Sequence, residues 1–279
     1  MKNICLYAAH QTHVTRWLEN FVDYMKKVSN FTVILSYKEF TEQRTRFDHI
    51  FIWNGWCPMS ENVRRYCEYT GIPRTFIEVG WFPQSRYYHL DSDGIGGESS
   101  LMFARLSEYV TDDQVCIIEN QISENIIRRS DSMTDSIDSI VVPLQCENDV
   151  NITKFSIYRT MYDFVEYVKL SHPGQQIIVK PHPLHPDAKF DPTGVEVADA
   201  KADLKLLMWE RAKLVVGINS TALYEAALLG IPYESYGEGP ANRWKKYRPL
   251  LLAVMYDKQI PIEAEDISYW LNKYSEVEL

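Results

Sequence analysis

The chain has 279 residues, a net charge of −9 at pH 7 and 46% apolar residues. This length and composition accommodate two modest domains with full cores, which excludes wholesale disorder. The acidic balance excludes a protein that coats nucleic acid through bulk charge, although a local basic patch could still dock one. The five cysteines are scattered and form no CxxC pair, so we expect a reduced, cytoplasmic setting with no disulfide framework and no structural zinc.

Apolar runs alternate with helical patterns through the first half of the chain. The pattern predicts strands over residues 3–8, 31–36, 49–53 and 74–78, and helices over residues 14–25, 60–70, 100–110 and 112–129. A polar, aperiodic stretch at residues 130–138 is interpreted as a linker. No apolar run approaches the roughly 18 residues that span a bilayer.

The alternation starts again after the linker. It predicts strands over residues 140–144, 176–180, 214–217 and 233–236, and helices over residues 158–170, 203–211, 220–229 and 263–274. Alternating strands and helices imply parallel sheets with right-handed crossovers. We therefore predict an α/β protein with two Rossmann-like domains facing a central cleft, residues 1–138 and 139–279.

The most informative motif joins a buried strand, a polar turn and a helix. Asn219, Ser220 and Thr221 form the turn, and Glu225 lies one helical turn further on. Free backbone N–H groups and the helix dipole make such a turn an anion site, and Glu225 could accept hydrogen bonds from ribose hydroxyls. The combination suits a nucleotide sugar. The alternative is an ordinary capped helix.

A second strand ends in Lys180-Pro181-His182-Pro183. The two prolines fix the backbone on either side of His182 and hold the residues before them extended. The histidine is thereby displayed at the carboxyl end of a strand, where open α/β sheets bind ligands. A structural histidine is the alternative.

Carboxylates in the first half suggest further chemistry. Glu78 ends a strand before a glycine and could act as a general acid or base, or lie solvated at the strand end. Asp91 and Asp93 precede Gly94 in a glycine-rich segment, which favours a loop before a helix over a metal-chelating Asp-x-Asp pair. We therefore expect no catalytic metal.

The junction of the two domains carries Gln145 and Asp149 just after a strand. Asp149 could attack the anomeric carbon of a sugar as a nucleophile, or form an Asx turn. Near the C-terminus Arg243, Lys245 and Lys246 alternate with aromatic residues. This stretch could hold phosphate, nucleic acid or lipid headgroups, or form a solvated basic face.

Taken in order, these motifs resemble the capsule polysaccharide biosynthesis family, which includes the retaining β-Kdo transferases. The resemblance covers residues 74–239 and rests on Glu78 before Gly80-Trp81-Phe82, Asp91 to Gly94, Gln145 to Asp149, Lys180 to Pro183 and Asn219 to Ala226. It implies a GT-B fold, a nucleotide-sugar donor and double displacement, with Asp149 as nucleophile and Glu78 as acid/base. It also implies that His182, Ser220 and Thr221 grip the donor phosphate.

The chain departs from the family in its short length and in Asn151, where the family commonly has serine. We predict a glycosyltransferase that needs no cofactor beyond its nucleotide-sugar co-substrate, acts on a glycan or glycolipid acceptor and is cytoplasmic or peripheral at a membrane. The donor site is expected in the second domain, formed by Gln145, Lys180, His182, Asn219, Ser220, Thr221 and Glu225. The positions expected to contact the acceptor or to form loops are Asp91, Asp93, Gly94, Arg243, Lys245 and Lys246. Three alternatives stay open: a phage-type transferase acting on hydroxymethylated DNA bases, a nucleotide-sugar 2-epimerase, and a non-catalytic sugar-nucleotide binding module.

Overall fold

The computed structural model of the protein describes residues 1–56, 58–132 and 138–279. The strands are β1 (Asn3–Tyr7), β2 (Asn30–Ile34), β3 (His49–Trp53), β4 (Arg74–Val79), β5 (Tyr87–Asp91), β6 (Ser139–Pro143), β7 (Gln176–Lys180), β8 (Glu196–Val197), β9 (Ala212–Gly217), β10 (Tyr233–Ser235) and β11 (Gln259–Pro261). The helices are α1 (Gln11–Trp17), α2 (Glu19–Val28), α3 (Tyr37–Glu42), α4 (Pro58–Thr70), α5 (Asp112–Ser132), α6 (Val150–Thr153), α7 (Met161–Ser171), α8 (Leu204–Arg211), α9 (Ala222–Leu228), α10 (Pro240–Arg243), α11 (Arg248–Lys258) and α12 (Ser268–Tyr274).

The chain divides into two compact α/β units. Unit 1 contains residues 1–104 and 255–279, and unit 2 contains residues 105–254. Each unit has its own sheet, as the alternating sequence pattern predicts. None of the helices in the described part of the chain is long and apolar enough to cross a membrane.

In unit 1, the described strands form a sheet in the order β11-β5-β4-β3-β1-β2. The first four strands along the chain are mutually parallel, whereas β5 runs antiparallel to β4 and β11 antiparallel to β5. The hydrophobic sequence of β3 fits this position, because all five of its residues are buried in the middle of the sheet.

In unit 2, the described strands form an all-parallel sheet in the order β10-β9-β6-β7-β8. Its core joins the inner residues of β6, β7 and β9 to the apolar face of α7, including Phe164 and Val168. Thr160 begins α7 by accepting a hydrogen bond from the backbone of Asp163. Arg129, near the end of α5, donates to the carbonyls of Met208, Trp209 and Ala212. It thereby supplies hydrogen-bond donors to carbonyl groups at the C-terminal end of α8.

The division differs from the predicted domains at both ends of the second one. Helix α5, predicted as the last element of the first domain, belongs to unit 2. The last 25 residues belong to unit 1, because β11 adds an antiparallel strand to its sheet. The predicted linker overlaps the end of α5, and residues 133–137 of it lie outside the described residues.

The prediction of a helix over residues 100–110 was wrong. Only short 3₁₀ turns form there, at Ser100–Met102 and Leu106–Glu108. The backbone N–H of Ser100 is taken by the side chain of Asp91, which competes with regular helical hydrogen bonding. Strands β5 and β11 and helix α11 were not predicted.

Candidate functional site

The predicted donor residues follow the ends of parallel strands in unit 2. Gln145 and Asp149 follow β6, His182 follows β7, and the Asn219 turn follows β9. Because these strands are neighbours in one parallel sheet, their carboxyl ends lie along the same edge. The loops that carry Gln145, His182 and Asn219 therefore lie at one edge of the unit 2 sheet.

A direct hydrogen bond links the first and last of these segments. The side-chain Oε1 of Gln145 accepts from the backbone nitrogen of Asn219 at 3.2 Å. The side-chain amide of Asn219 donates to the carbonyls of Phe155 and Glu238. Gln145 and Asn219 therefore fix the shape of the turn after β9.

Two glycines make room for the Asn219 side chain. A Cβ on Gly237 would lie 2.4 Å from the amide atoms of Asn219, and one on Gly239 would lie 2.7 Å from its Oδ1. Real Cβ atoms do not approach other atoms so closely. The loop after β10 thus needs glycine at these positions to pack on the turn.

The turn itself presents polar groups at the start of α9. Ser220 Oγ accepts from the backbone nitrogen of Ala222 at 3.2 Å, as in an ordinary capped helix. Thr221, the cap residue, makes no side-chain capping bond. Among the described residues, no acceptor is found for the backbone N–H of Ser220 or Thr221, so the turn retains donors that an anion can use.

His182 is held in one neutral tautomer. Its Nδ1 lies 3.2 Å from the backbone nitrogen of Leu184 and 3.4 Å from Sγ of Cys146. A backbone N–H can only donate, so Nδ1 must carry a lone pair and the ring proton must sit on Nε2. Burial lowers the pKa of His182, and His185 and Lys180 lower it further while Asp149 opposes them. At neutral pH the ring is therefore an uncharged donor through Nε2.

Asp149 caps the short helix α6. One carboxylate oxygen accepts from the backbone nitrogen of Asn151 at 2.7 Å, which is the turn geometry that the sequence left open as an alternative. Among the described residues, the second oxygen receives no hydrogen bond. The half-buried carboxylate is close enough to influence both Cys146 and His182 electrostatically.

A cavity of about 480 Å³ opens at this edge of unit 2. Gln145, Glu147 and Asn148 line it from the loop after β6, and residues 184–189 line it from the loop after β7. Its volume lies in the range that holds a small organic ligand. Of the predicted donor residues, Gln145 is the one that lines this cavity.

Two other predicted donor residues are buried or half-buried within unit 2. Lys180 is buried, and its Nζ donates to the carbonyl of Ala200 at 2.9 Å. Burial raises the pKa of Glu225, with Lys205 opposing and Asp203 reinforcing that shift. The Glu225 carboxylate therefore lies near the start of α8.

In unit 1, Glu78 lies near the carboxyl end of β4, where the sequence predicted it. It is half-buried, and its Oε1 accepts from the backbone nitrogen of Val79 at 2.9 Å. The following loop is fixed from β11, because the side chain of Gln259 accepts from the nitrogens of Trp81 and Phe82 and donates to the carbonyl of Phe82.

The Asp91 segment forms an internal anchor. Asp91 is fully buried and accepts from Lys258, the hydroxyls of Ser99 and Ser100, and the backbone nitrogens of Asp93, Gly94 and Ser100. With both oxygens so occupied, it cannot join Asp93 in an open chelate. The loop interpretation fits, but the loop leads into 3₁₀ turns rather than the predicted helix. Within the described residues, no group of three or more histidine, cysteine or acidic side chains could hold a metal.

The basic stretch near the C-terminus lies on the surface of unit 2. Arg243, Lys245 and Lys246 are all exposed around the turn between α10 and α11. They are separate from the residues that line the cavity.

Comparison with solved structures reveals a shared architecture. A β-Kdo 2,7 transferase, KpsC of Thermosulfurimonas dismutans, matches 94% of this chain over 96% of its own, with a TM-score of 0.65 and 16% identity. A β-Kdo 2,4 transferase, also KpsC of that organism, matches 91% of this chain over 89% of its own, with a TM-score of 0.63 and 12% identity. The chain shares the fold of these two proteins. No family model and no curated protein sequence matches the chain.

The GT-B-like fold predicted from the motifs is therefore confirmed. Sequence reasoning missed Cys146 and Leu184, which hold the His182 ring, and Gln259, which holds the Glu78 loop. The first two could have been suspected from their closeness to predicted site residues. Gln259 gave no signal, because its role depends on a strand pairing that links it to residues far away in the sequence.

Proposed function

We propose that the protein is a nucleotide-sugar-dependent glycosyltransferase that binds its donor at the carboxyl edge of the unit 2 sheet. The observation that carries this proposal is the hydrogen bond from the Asn219 backbone to Gln145, beside a cavity of about 480 Å³. This hydrogen bond joins the loops after β6 and β9 at the edge where open α/β sheets bind ligands. The glycosyltransferase-like fold supports the same assignment.

In this proposal the donor phosphate lies against the turn after β9. The backbone N–H groups of Ser220 and Thr221 and the hydroxyl of Ser220 donate to phosphate oxygens. His182 adds its Nε2 proton as a neutral donor. The sugar or base occupies the adjoining cavity, where Glu147 and Asn148 can accept from and donate to hydroxyl or amide groups.

Transfer proceeds by double displacement. The Asp149 carboxylate attacks the anomeric carbon, the bond from that carbon to the phosphate oxygen breaks, and the nucleotide leaves with the bonding electrons. An acceptor hydroxyl then attacks the glycosyl ester while Glu78 takes its proton, and Asp149 is released as carboxylate. The capping bond from Asn151 uses one Asp149 oxygen and leaves the other for attack. The acceptor is a glycan or glycolipid.

A thermal-shift panel of nucleotides and nucleotide sugars tests the donor site. A ligand at about 100 times its dissociation constant should stabilise the protein by about 2.7 kcal/mol. Ser220→Ala with His182→Ala should abolish that shift with little change in the melting temperature of the free protein. Ser123→Ala with His172→Ala is the matched control, since it removes the same side-chain types elsewhere in unit 2. Unchanged affinity in the first variant, measured by calorimetry, would show that the donor site is misplaced.

The mechanism has a separate test. Asp149→Asn should abolish transfer while donor binding persists. Glu78→Gln should slow transfer and let a glycosyl adduct accumulate, visible in the intact mass as one sugar on the peptide that contains Asp149. Turnover should survive EDTA. Inverted product stereochemistry, or normal turnover by Asp149→Asn, would contradict double displacement. An isomerised sugar formed without acceptor would instead identify an epimerase.

A further inference from the structure

An uncompensated basic surface lies at one place on unit 2. Residues 239–254 contain four cationic side chains and no carboxylate, in a chain whose net charge is −9. Three of them, Arg243, Lys245 and Lys246, are exposed. Within the described part of the chain, none of the three pairs with an acidic side chain. We call Arg243, Lys245, Lys246 and Tyr247 the basic turn.

Aromatic side chains accompany these charges. Tyr247 is 60% exposed, and Trp244 is half-buried with the Arg243 guanidinium 5.6 Å from its ring. Arg248, the residue after the turn, fixes its C-terminal end. The Arg248 guanidinium donates to the carbonyl of Lys245 and lies over the Tyr233 ring, 4.4 Å from its centre. Cations beside an exposed aromatic ring suit the headgroup region of a membrane, where such rings concentrate.

We propose that the basic turn binds the surface of an anionic lipid bilayer. Its cations lie within four positions of one turn, so they can reach several lipid headgroups at once. Non-specific binding to duplex DNA draws its affinity from contacts to a series of phosphates along the backbone, and three clustered cations supply few of them. Because attraction to an anionic surface is worth about 1 kcal/mol per cation, loss of each should weaken binding about fivefold.

Sedimentation of the full chain with vesicles tests the proposal. Vesicles of equal parts phosphatidylglycerol and phosphatidylcholine should bind the protein, vesicles of phosphatidylcholine alone should not, and added salt should release it. Lys245→Gln with Lys246→Gln should weaken binding by about twenty-fold or more. Lys26→Gln with Lys27→Gln is the matched control, since it removes two adjacent exposed lysines from α2 in unit 1.

Three results would overturn the proposal. The first is an absence of binding to the anionic vesicles. The second is an equal loss of vesicle binding in the unit 1 control, which would indicate attraction through bulk charge. The third is tighter binding to duplex DNA than to the vesicles. Thermal melting of both variants checks that the fold is intact. The assay contains no nucleotide sugar, so its outcome is independent of the proposed transfer reaction.

Discussion

Breaking the buried ion pair between Asp91 and Lys258 on one side only should strongly destabilise unit 1. Asp91 is 0% and Lys258 1% exposed, and the ammonium lies 2.8 Å from the carboxylate. Burial favours a raised pKa for Asp91, but Lys258 and the hydrogen bonds from Ser99 and Ser100 outweigh it and hold the pKa below its ordinary value. The pair ties α11, which leads into β11, to the end of β5.

Replacing Lys258 with Met keeps the apolar length of the side chain and removes its charge. Asp91 then remains buried with hydroxyl and N–H donors but no counter-charge. Breaking a buried pair in this way costs about 3–5 kcal/mol. At roughly 2–4 °C per kcal/mol for a protein of this size, the melting temperature should fall by about 6–20 °C.

Urea unfolding and scanning calorimetry at neutral pH measure the loss. Lys38→Met is the control, because that lysine is 85% exposed and 3.8 Å from Glu42, and it should cost less than about 1 kcal/mol. Adding Asp91→Asn to Lys258→Met removes the orphaned charge and should recover part of the stability. A loss below about 1 kcal/mol from Lys258→Met, or a double variant less stable than the single one, would refute the reasoning.

Three further predictions follow from the same structure. Burial lowers the pKa of His49 to about 4 and of His89 to about 3. The stability that these neutral rings contribute is therefore present above their unfolded pKa of about 6.5 and is lost as the pH falls below it, by about 1.4 kcal/mol per pH unit per histidine. Urea unfolding across this pH range should show the decline, and in His49→Gln the free energy of unfolding should fall with pH by the contribution of one proton less. Gly237→Ala should abolish the nucleotide-dependent thermal shift and destabilise the protein by about 1–3 kcal/mol, because its methyl group would displace Asn219. Nucleotide affinity measured by calorimetry should not rise between about pH 7.5 and 6.5, because His182 donates as a neutral ring; a steep rise would mean that it binds as a cation.

The sequence predicted the parallel parts of both sheets because local pattern determines them. The apolar runs of β3 and β7 were predicted to the residue, since strands buried on both faces read as continuous hydrophobic segments. Strand β5 and the short β11 were missed. Their pairing is antiparallel and joins Gln259 to His89, which are 170 positions apart in the sequence, and no local pattern encodes such a partner.

The strands that carry the predicted motifs of unit 2 are present, but the contacts of individual side chains could not be predicted. Lys180 and His182 are neighbours in one motif, yet the lysine is directed to the Ala200 carbonyl while the histidine ring meets Cys146 and the Leu184 nitrogen. Residues two positions apart share a face of a regular strand, but β7 ends at Lys180 and His182 lies in the loop that follows it, so strand alternation does not fix the direction of the ring. Which of them faces a ligand depends on the loops that cover each side, and those loops are distant in sequence.

Asp149 and Ser220 both have the local capping contact that the sequence analysis gave as the alternative to a functional role. The two roles are compatible, because each cap uses only part of the hydrogen-bonding capacity of its side chain. A carboxylate with one oxygen fixed by the Asn151 N–H loses less freedom when its other oxygen attacks a carbon, and a hydroxyl whose oxygen caps a helix has its proton free to turn outward. Such local contacts pre-organise a side chain for chemistry at little cost in folding free energy. The capping bonds therefore cannot distinguish a structural residue from a catalytic one. The distinction rests on the behaviour of Asp149→Asn, which keeps one oxygen for the capping bond and replaces the other by an uncharged NH2 group that cannot act as a nucleophile.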